Sequence, residues 1–230
     1  MALLPIALGV TRGFSAKPPS PSFASIDEAE FRASIQARDK NTCRFCGFKS
    51  GKYQQVHFLN GNKRDYRPEN AATICLFCAQ CFTLEQVGSM RSGLLIWLPE
   101  FGQGALHHLM RAIFVARISP GIMAEAARLA FEALQARREE ARYRLGTDDP
   151  ALLGTALQDY LEDAPYAKRK NKLEGIRLLP LDRRVVREAD MEFNQFPQIL
   201  AYWRSKDGPF SGALPATWAD SFQEIAALAA

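Results

Sequence analysis

The 230-residue sequence has no apolar run of the roughly 18 residues that a membrane-spanning helix needs. It has no marked excess of either charge. Lys and Arg number 29 against 25 Asp and Glu, a net +4, which is too mild to demand a nucleic-acid partner. There is no internal repeat and no low-complexity block. With 47% hydrophobic and 23% charged residues, the composition excludes a disordered, collagenous or mucin-like chain. Cysteine is sparse, at five residues, which argues against a disulfide scaffold. Length and composition together fit one domain, or one domain with a small appendage.

The opening Met1–Val10 is apolar, but no Lys or Arg precedes it and Pro5 interrupts it. It therefore reads as a short N-terminal strand, Ile6 to Ser15, and not as a signal peptide. The prolines of Lys17–Ser22 predict an extended loop. Ser25 and Glu28 have capping-box spacing, opening a helix to about Arg38 with Phe31 and Ile35 on its buried face. A strand is expected at Tyr53–Leu59 with a turn at Asn60–Asn62. A helix is expected from Cys75 to Val87, stopped by Gly88. Leu94–Leu98 and Ile176–Pro180 read as buried or extended strands.

Leu106, Leu109, Met110, Ile113 and Phe114 recur at helical spacing. Pro120-Gly121 breaks that helix. A second is predicted from about Ile122 to Leu145, with Ala126, Leu129, Ala130, Ala133 and Leu134 inward. Its far end, Arg137–Arg144, reads as a solvated, ion-paired surface. A short helix follows Asp148-Asp149-Pro150, and a last one is expected at Ala216–Ala229 with Trp218, Phe222, Ile225 and Ala229 on one side.

The chemistry lies in Cys43-Arg-Phe-Cys46-Gly47 and Cys75-Leu-Phe-Cys78, with 28 residues between the pairs. Two intervening residues in a tight turn bring both sulfurs of a pair to one side. Gly47 suits such a knuckle because it accepts positive φ. Cys43, Cys46, Cys75 and Cys78 offer four thiolates to one tetrahedral ion, and soft sulfur selects Zn2+. An all-cysteine site leaves no position for water, so its expected role is structural. A thiolate site favours a reducing compartment, hence a cytoplasmic protein. Cys81, three residues after Cys78, reads as a packed free thiol, or else as a substitute for one of the four.

Ala37–Gly47, Val56–Gly61 and Asn70–Cys78 together resemble the zinc-bearing branch of the HNH nuclease fold. The resemblance implies a treble clef, with one knuckle on a hairpin and the second at the start of a helix. Active members carry a general-base His at the position of Phe58 and a metal-binding His at that of Ala79. A phenyl ring accepts no proton and a methyl group binds no metal. A shift of register by one residue would restore His57 but not Ala79. The frame is thus expected without its catalytic residues, and the chain is expected not to be an enzyme.

Arg38–Phe48, Leu76–Phe82, Glu85–Gly88, Ile96–Glu100 and Ile176–Pro180 further resemble the IcmJ (DotN) family, from about Ile6 to Arg187. The resemblance implies a component of a type IVB secretion system on the cytoplasmic side of the inner membrane. Its implied role is a non-catalytic adaptor in a coupling complex. It would bind the C-terminal extension of the coupling ATPase and other subunits, meet the membrane only through that complex, and support effector recruitment. Cys43, Cys46, Cys75 and Cys78 carry over as ligands of structural zinc.

The expected fold is α+β and mainly helical, an HNH-like ββα zinc finger packed with a helical C-terminal region. The divisions are residues 1–24 (strand and Pro-rich loop), 25–100 (four-cysteine finger), 101–188 (helices completing one globular domain) and 189–230 (an extension with one helix). The alternatives are an HNH-like endonuclease and a DNA-binding zinc-finger module. Residues 38–67 hold eight Lys/Arg against two Asp/Glu, as do 168–187, whereas 188–230 hold two against six. That segregation suits an acidic partner, anionic lipid headgroups or DNA.

Overall fold

The computed structural model describes residues 2–12, 27–213, 215–218 and 220. The Pro-rich stretch, Ser25 and most of the expected C-terminal helix lie outside them.

Helix α1 (Glu28–Arg38) is capped by Asp27, whose side chain accepts from the Ala29 amide. It buries Phe31 and Ile35 against β1 (Gln54–Phe58) and β2 (Ala71–Cys75), an antiparallel pair in the register Gln54↔Cys75 to Phe58↔Ala71. The chain passes from β2 directly into α2 (Leu76–Gln80), so two strands and a helix form a compact ββα unit. A first knuckle precedes it. There Cys43 N donates to Phe48 O, Gly47 N donates to Cys43 O, and Gly47 has φ +78°.

The helix expected from Cys75 to Val87 is two helices, α2 and α3 (Leu84–Met90). The N-terminal segment causes the break. Gly9 N donates to Cys81 O, and Leu84 N donates to Gly9 O, so backbone groups that would continue the helix bond sideways. By the same bonds, residues 6–12 are not the expected strand. Residues 2–12 run as an irregular segment tied at single points to the end of α2, the start of α3 and, through Leu4 N to Arg44 O, the first knuckle. Gly88 does not end α3. It lies within the helix, where it meets Ala151.

Strand β3 (Gly93–Trp97) pairs antiparallel with β4 (Ile176–Pro180), as both apolar runs suggested. Between them lie α4 (Gln103–Arg117), α5 (Ile122–Ala136), α6 (Arg138–Leu145), α7 (Pro150–Asp159), α8 (Asp163–Ala167) and α9 (Arg169–Lys172). The long helix predicted to Leu145 is interrupted at Arg137, whose carbonyl accepts from Trp97 N. The inward face of α5 is also corrected. Ala126, Leu129, Ala130 and Ala133 are exposed, while Ala127 and Phe131 are buried. The Phe131 ring lies edge-on against Phe114 of α4 at 5.6 Å, and that large contact sets the helix rotation. Arg142–Glu139 and Arg144–Glu140 ion pairs line α6 as expected.

A hairpin, β5 (Val185–Glu188) and β6 (Met191–Asn194), leads to α10 (Phe196–Arg204). Phe196, Ile199 and Trp203 of α10 join the same buried core as the cysteines of both knuckles and as Leu106, Met110 and Phe114 of α4. The chain is therefore α+β, mainly helical, with small antiparallel sheets.

Candidate metal centre

The two knuckles place the sulfurs of Cys43, Cys46, Cys75 and Cys78 within 4.8 Å of one another, all four residues buried. Cys46 Sγ and Cys75 Sγ are 3.7 Å apart. A tetrahedral ion bound at a zinc–sulfur distance of about 2.3 Å separates its sulfurs by about 3.8 Å. The spacing and the donors suit a tetrahedral ion of that size. Among the described residues, these four are the one group of His, Cys, Asp or Glu able to hold a metal.

The surroundings favour a negatively charged Cys75. Arg111 of α4 is 2% exposed and donates from Nη2 to Cys75 Sγ at 2.9 Å. Its guanidinium lies 3.8 Å from the Phe48 ring centroid, 4.9 Å from Phe77 and 5.9 Å from Trp203. Its Nε and Nη1 have no hydrogen-bond partner, and among the described residues no carboxylate pairs with it. A buried cation without a counter-charge is strongly unfavourable. Four thiolates around a divalent ion keep a net negative charge and supply what Arg111 lacks. Burial by itself would push the Cys75 thiol up. Hydrogen bonds from the other three cysteines, together with the Arg111 charge, hold it well below the ordinary thiol value.

His107 gives a second sign. Gln103 Oε1 accepts from Leu178 N at 3.0 Å, and Gln103 Nε2 donates to Leu178 O at 2.7 Å. That pairing with β4 fixes the orientation of the amide. Gln103 Nε2 also reaches His107 Nε2 at 2.8 Å, so His107 Nε2 accepts and the ring proton sits on Nδ1. Nδ1 then donates to Cys78 Sγ at 3.3 Å. Burial holds the imidazole at about 3, so it stays neutral. Next to it, His108 Nε2 donates to Cys46 O at 2.7 Å. One helix thus grips both knuckles through three side chains. An outer layer of donors is what orients and tunes thiolate ligands.

The sequence reading did not identify His107, His108 or Arg111. The available signal was three basic or polar residues interrupting an apolar helix face at i, i+1 and i+4. Cys81 lies outside the four-sulfur group. Its Sγ is 3.6 Å from Phe77 O and 3.8 Å from His107 Nε2, and burial keeps it a thiol.

The nuclease positions are arranged otherwise. Phe58 packs with Phe31 and Tyr66 beneath α1. His57, on the opposite face of β1, packs against the rings of Phe45 (5.6 Å) and Phe82 (4.6 Å), which also touch each other. His57 thus takes the α2 side of the strand, where Ala79 also lies. Burial lowers its pKa. Asn70 ties the loop, donating from Nδ2 to Asp65 O and accepting from Asn60 N.

No helix among the described residues is long and apolar enough to cross a membrane. No family model matches the chain. Over 176 residues it is 34% identical to a protein of Legionella pneumophila named type 4 apparatus protein DotN, covering 75% of this chain and 79% of that one.

Proposed function

The chain belongs to the IcmJ (DotN) family, and from that premise we propose that it is a non-catalytic adaptor of a type IVB secretion coupling complex. The observation that carries this reading is a relationship extending over three quarters of both chains, to a protein named for the type 4 apparatus. In this reading the chain works at the cytoplasmic side of the inner membrane. It binds the C-terminal extension of the coupling ATPase and joins the other subunits through that attachment.

The metal is zinc in this proposal, held by Cys43, Cys46, Cys75 and Cys78, and it is structural. Zinc supplies a closed, charge-compact node for the fold. The residues of this chain do the rest: Arg111 neutralises Cys75, His107 orients Cys78, and His108 fixes the Cys46 carbonyl. The ββα unit with its preceding knuckle is the HNH-like treble clef. Residues 25–100 form the finger, 101–188 complete its globular domain, and 189–230 extend the chain, with α10 returning to the shared core. The lack of chemistry is supported by Ala79, which offers no ligand beside His57.

The test is calorimetric titration of the purified, metal-loaded chain with the C-terminal extension of the coupling ATPase from the same organism. Stoichiometric binding is expected. A folded, metal-loaded chain that binds nothing refutes the adaptor reading. DNA cleavage with a divalent metal, abolished by His57→Ala, would establish the endonuclease alternative.

A further inference from the structure

On the face of β1 and α2 that carries His57 and Ala79, a groove of about 1000 Å³ opens between the N-terminal segment, α1, β1, α2 and the α8–α9 region. Part of its lining is apolar and accessible: Leu59 is exposed, and Phe82 and Met90 are half-buried. Its charged lining is lopsided: Arg12, Arg32, Lys63, Arg169 and Arg184 against one carboxylate, Asp163.

Two of the five cations are already neutralised. Arg12 pairs with Asp163 at 3.0 Å, and Arg32 with Glu28 at 2.7 Å. The other three meet no carboxylate among the described residues. Arg169 donates only to the carbonyls of Leu8 and Tyr166 and lies over the Tyr166 ring at 4.0 Å. Arg184 donates to Gln195 Oε1 and reaches Met90 Sδ, and burial lowers its pKa. Lys63 stands exposed on the turn after β1. Three cations facing one apolar-lined concavity without a counter-charge make a surface that lacks an anionic complement.

We infer that this groove is a docking site for an extended acidic segment of a partner protein, one that intersperses Asp or Glu with apolar side chains. Carboxylates meet Lys63, Arg169 and Arg184, while apolar side chains cover the accessible Leu59, Phe82 and Met90. Charge excludes the residues outside the described set as occupant. They carry Lys17 and Glu224 as their only charged side chains, so they cannot supply several carboxylates. Nucleic acid is the poorer fit. A duplex or single strand is held by phosphate contacts repeated along a cationic track, and only three uncompensated cations face this groove. The inference deepens the adaptor reading and rests on it, since an adaptor needs a surface for its partner.

The test is to pan a displayed random-peptide library against the full-length, metal-loaded chain. Enriched peptides are then measured by fluorescence anisotropy at low and high salt. The expected consensus alternates acidic and apolar residues. Affinity should fall on the order of tenfold when every Asp and Glu of a peptide becomes Asn and Gln, and again with Lys63→Gln/Arg169→Gln/Arg184→Gln. Arg128→Gln, on the exposed face of α5, should leave binding unchanged. Lys63→Gln alone lies on an exposed turn and should weaken binding severalfold without touching the fold, which guards against a misfolded triple variant. No enrichment, a neutral or basic consensus, or binding that survives loss of the three cations overturns the proposal. So does displacement of the peptide by a single-stranded oligonucleotide of equal charge at lower concentration. Panning uses no component of the secretion apparatus, so its failure is distinct from failure of the calorimetric titration.

Discussion

Arg111 has a buried guanidinium among aromatic rings, one thiolate as acceptor, and two nitrogens without partners. Arg111→Met removes the charge and leaves the sulfur cluster uncompensated. Breaking a buried pair in this way costs about 3–5 kcal/mol, so chemical denaturation should show a loss of that order. Release of zinc to a chromogenic chelator should also quicken. Arg111→Lys keeps the charge but loses the flat stacking surface and should fall between. Cys81→Ala is expected to retain one zinc per chain by elemental analysis, whereas Cys43→Ser is not. A Cys81 variant that lost its metal would return Cys81 to the ligand set.

Asp39 holds the other side of the finger. Its Oδ2 accepts from Thr73 N at 2.8 Å, and Arg38 reaches both of its oxygens. Burial opposes ionisation, but the bonds from Arg38 and Thr73 outweigh it and keep the carboxyl below its unfolded value of 3.8. A lowered folded pKa contributes stability that is present above that unfolded value and lost as pH falls through the folded one. Asp39→Asn should therefore cost about 1.5–3 kcal/mol near neutrality. Its deficit against wild type should shrink in acid, as thermal melts across pH would record.

At the level of elements, much was legible. β3, β4 and α4 were marked by uninterrupted or periodic apolar residues, and the knuckles by their spacing. The break between α2 and α3 was not legible, because it is made by Gly9, some 70 residues earlier in the chain. The rotation of α5 was not legible either. Its sequence offers two apolar stripes, and only the Phe131–Phe114 contact chooses between them. The β5–β6 hairpin and α10 went unread because β5 and β6 are four-residue strands on the surface, too short for a period to register. Outside the described residues, the C-terminal helix stays an expectation.

Gly88 received a local meaning, as a helix stop, when its meaning is tertiary. A Cβ there would lie 2.6 Å from that of Ala151, so α3 and α7 approach closely because one partner has no side chain. Gly88→Ala should destabilise by about 1–3 kcal/mol through overpacking. Adding Ala151→Gly should recover part of that loss, and a double-mutant cycle by denaturation would measure the coupling. Additive losses would mean that the two helices do not meet at this point.

For the whole molecule, the metal centre is internal to a core that draws on both ends of the chain. Structural zinc contributes folding free energy on the order of 10 kcal/mol in small finger peptides. Here the loss should not stay local. Chelation is expected to abolish helical circular dichroism and the native Trp203 emission in one transition, since α4 and α10 rest on the same cluster. If the finger melted while α10 stayed seated, the core would be two cores.

The arrangement also has an order in time. The four ligands are synthesised between residues 43 and 78, but Arg111 comes later and Trp203, which covers it, later still. A nascent chain can therefore collect its ion early and hold it only provisionally. Of the three rings against the guanidinium, Phe48 and Phe77 come with the knuckles and only Trp203 comes from α10. A chain truncated before α10 is therefore expected to keep all four cysteines and yet release its metal to a chelator faster than the full chain does.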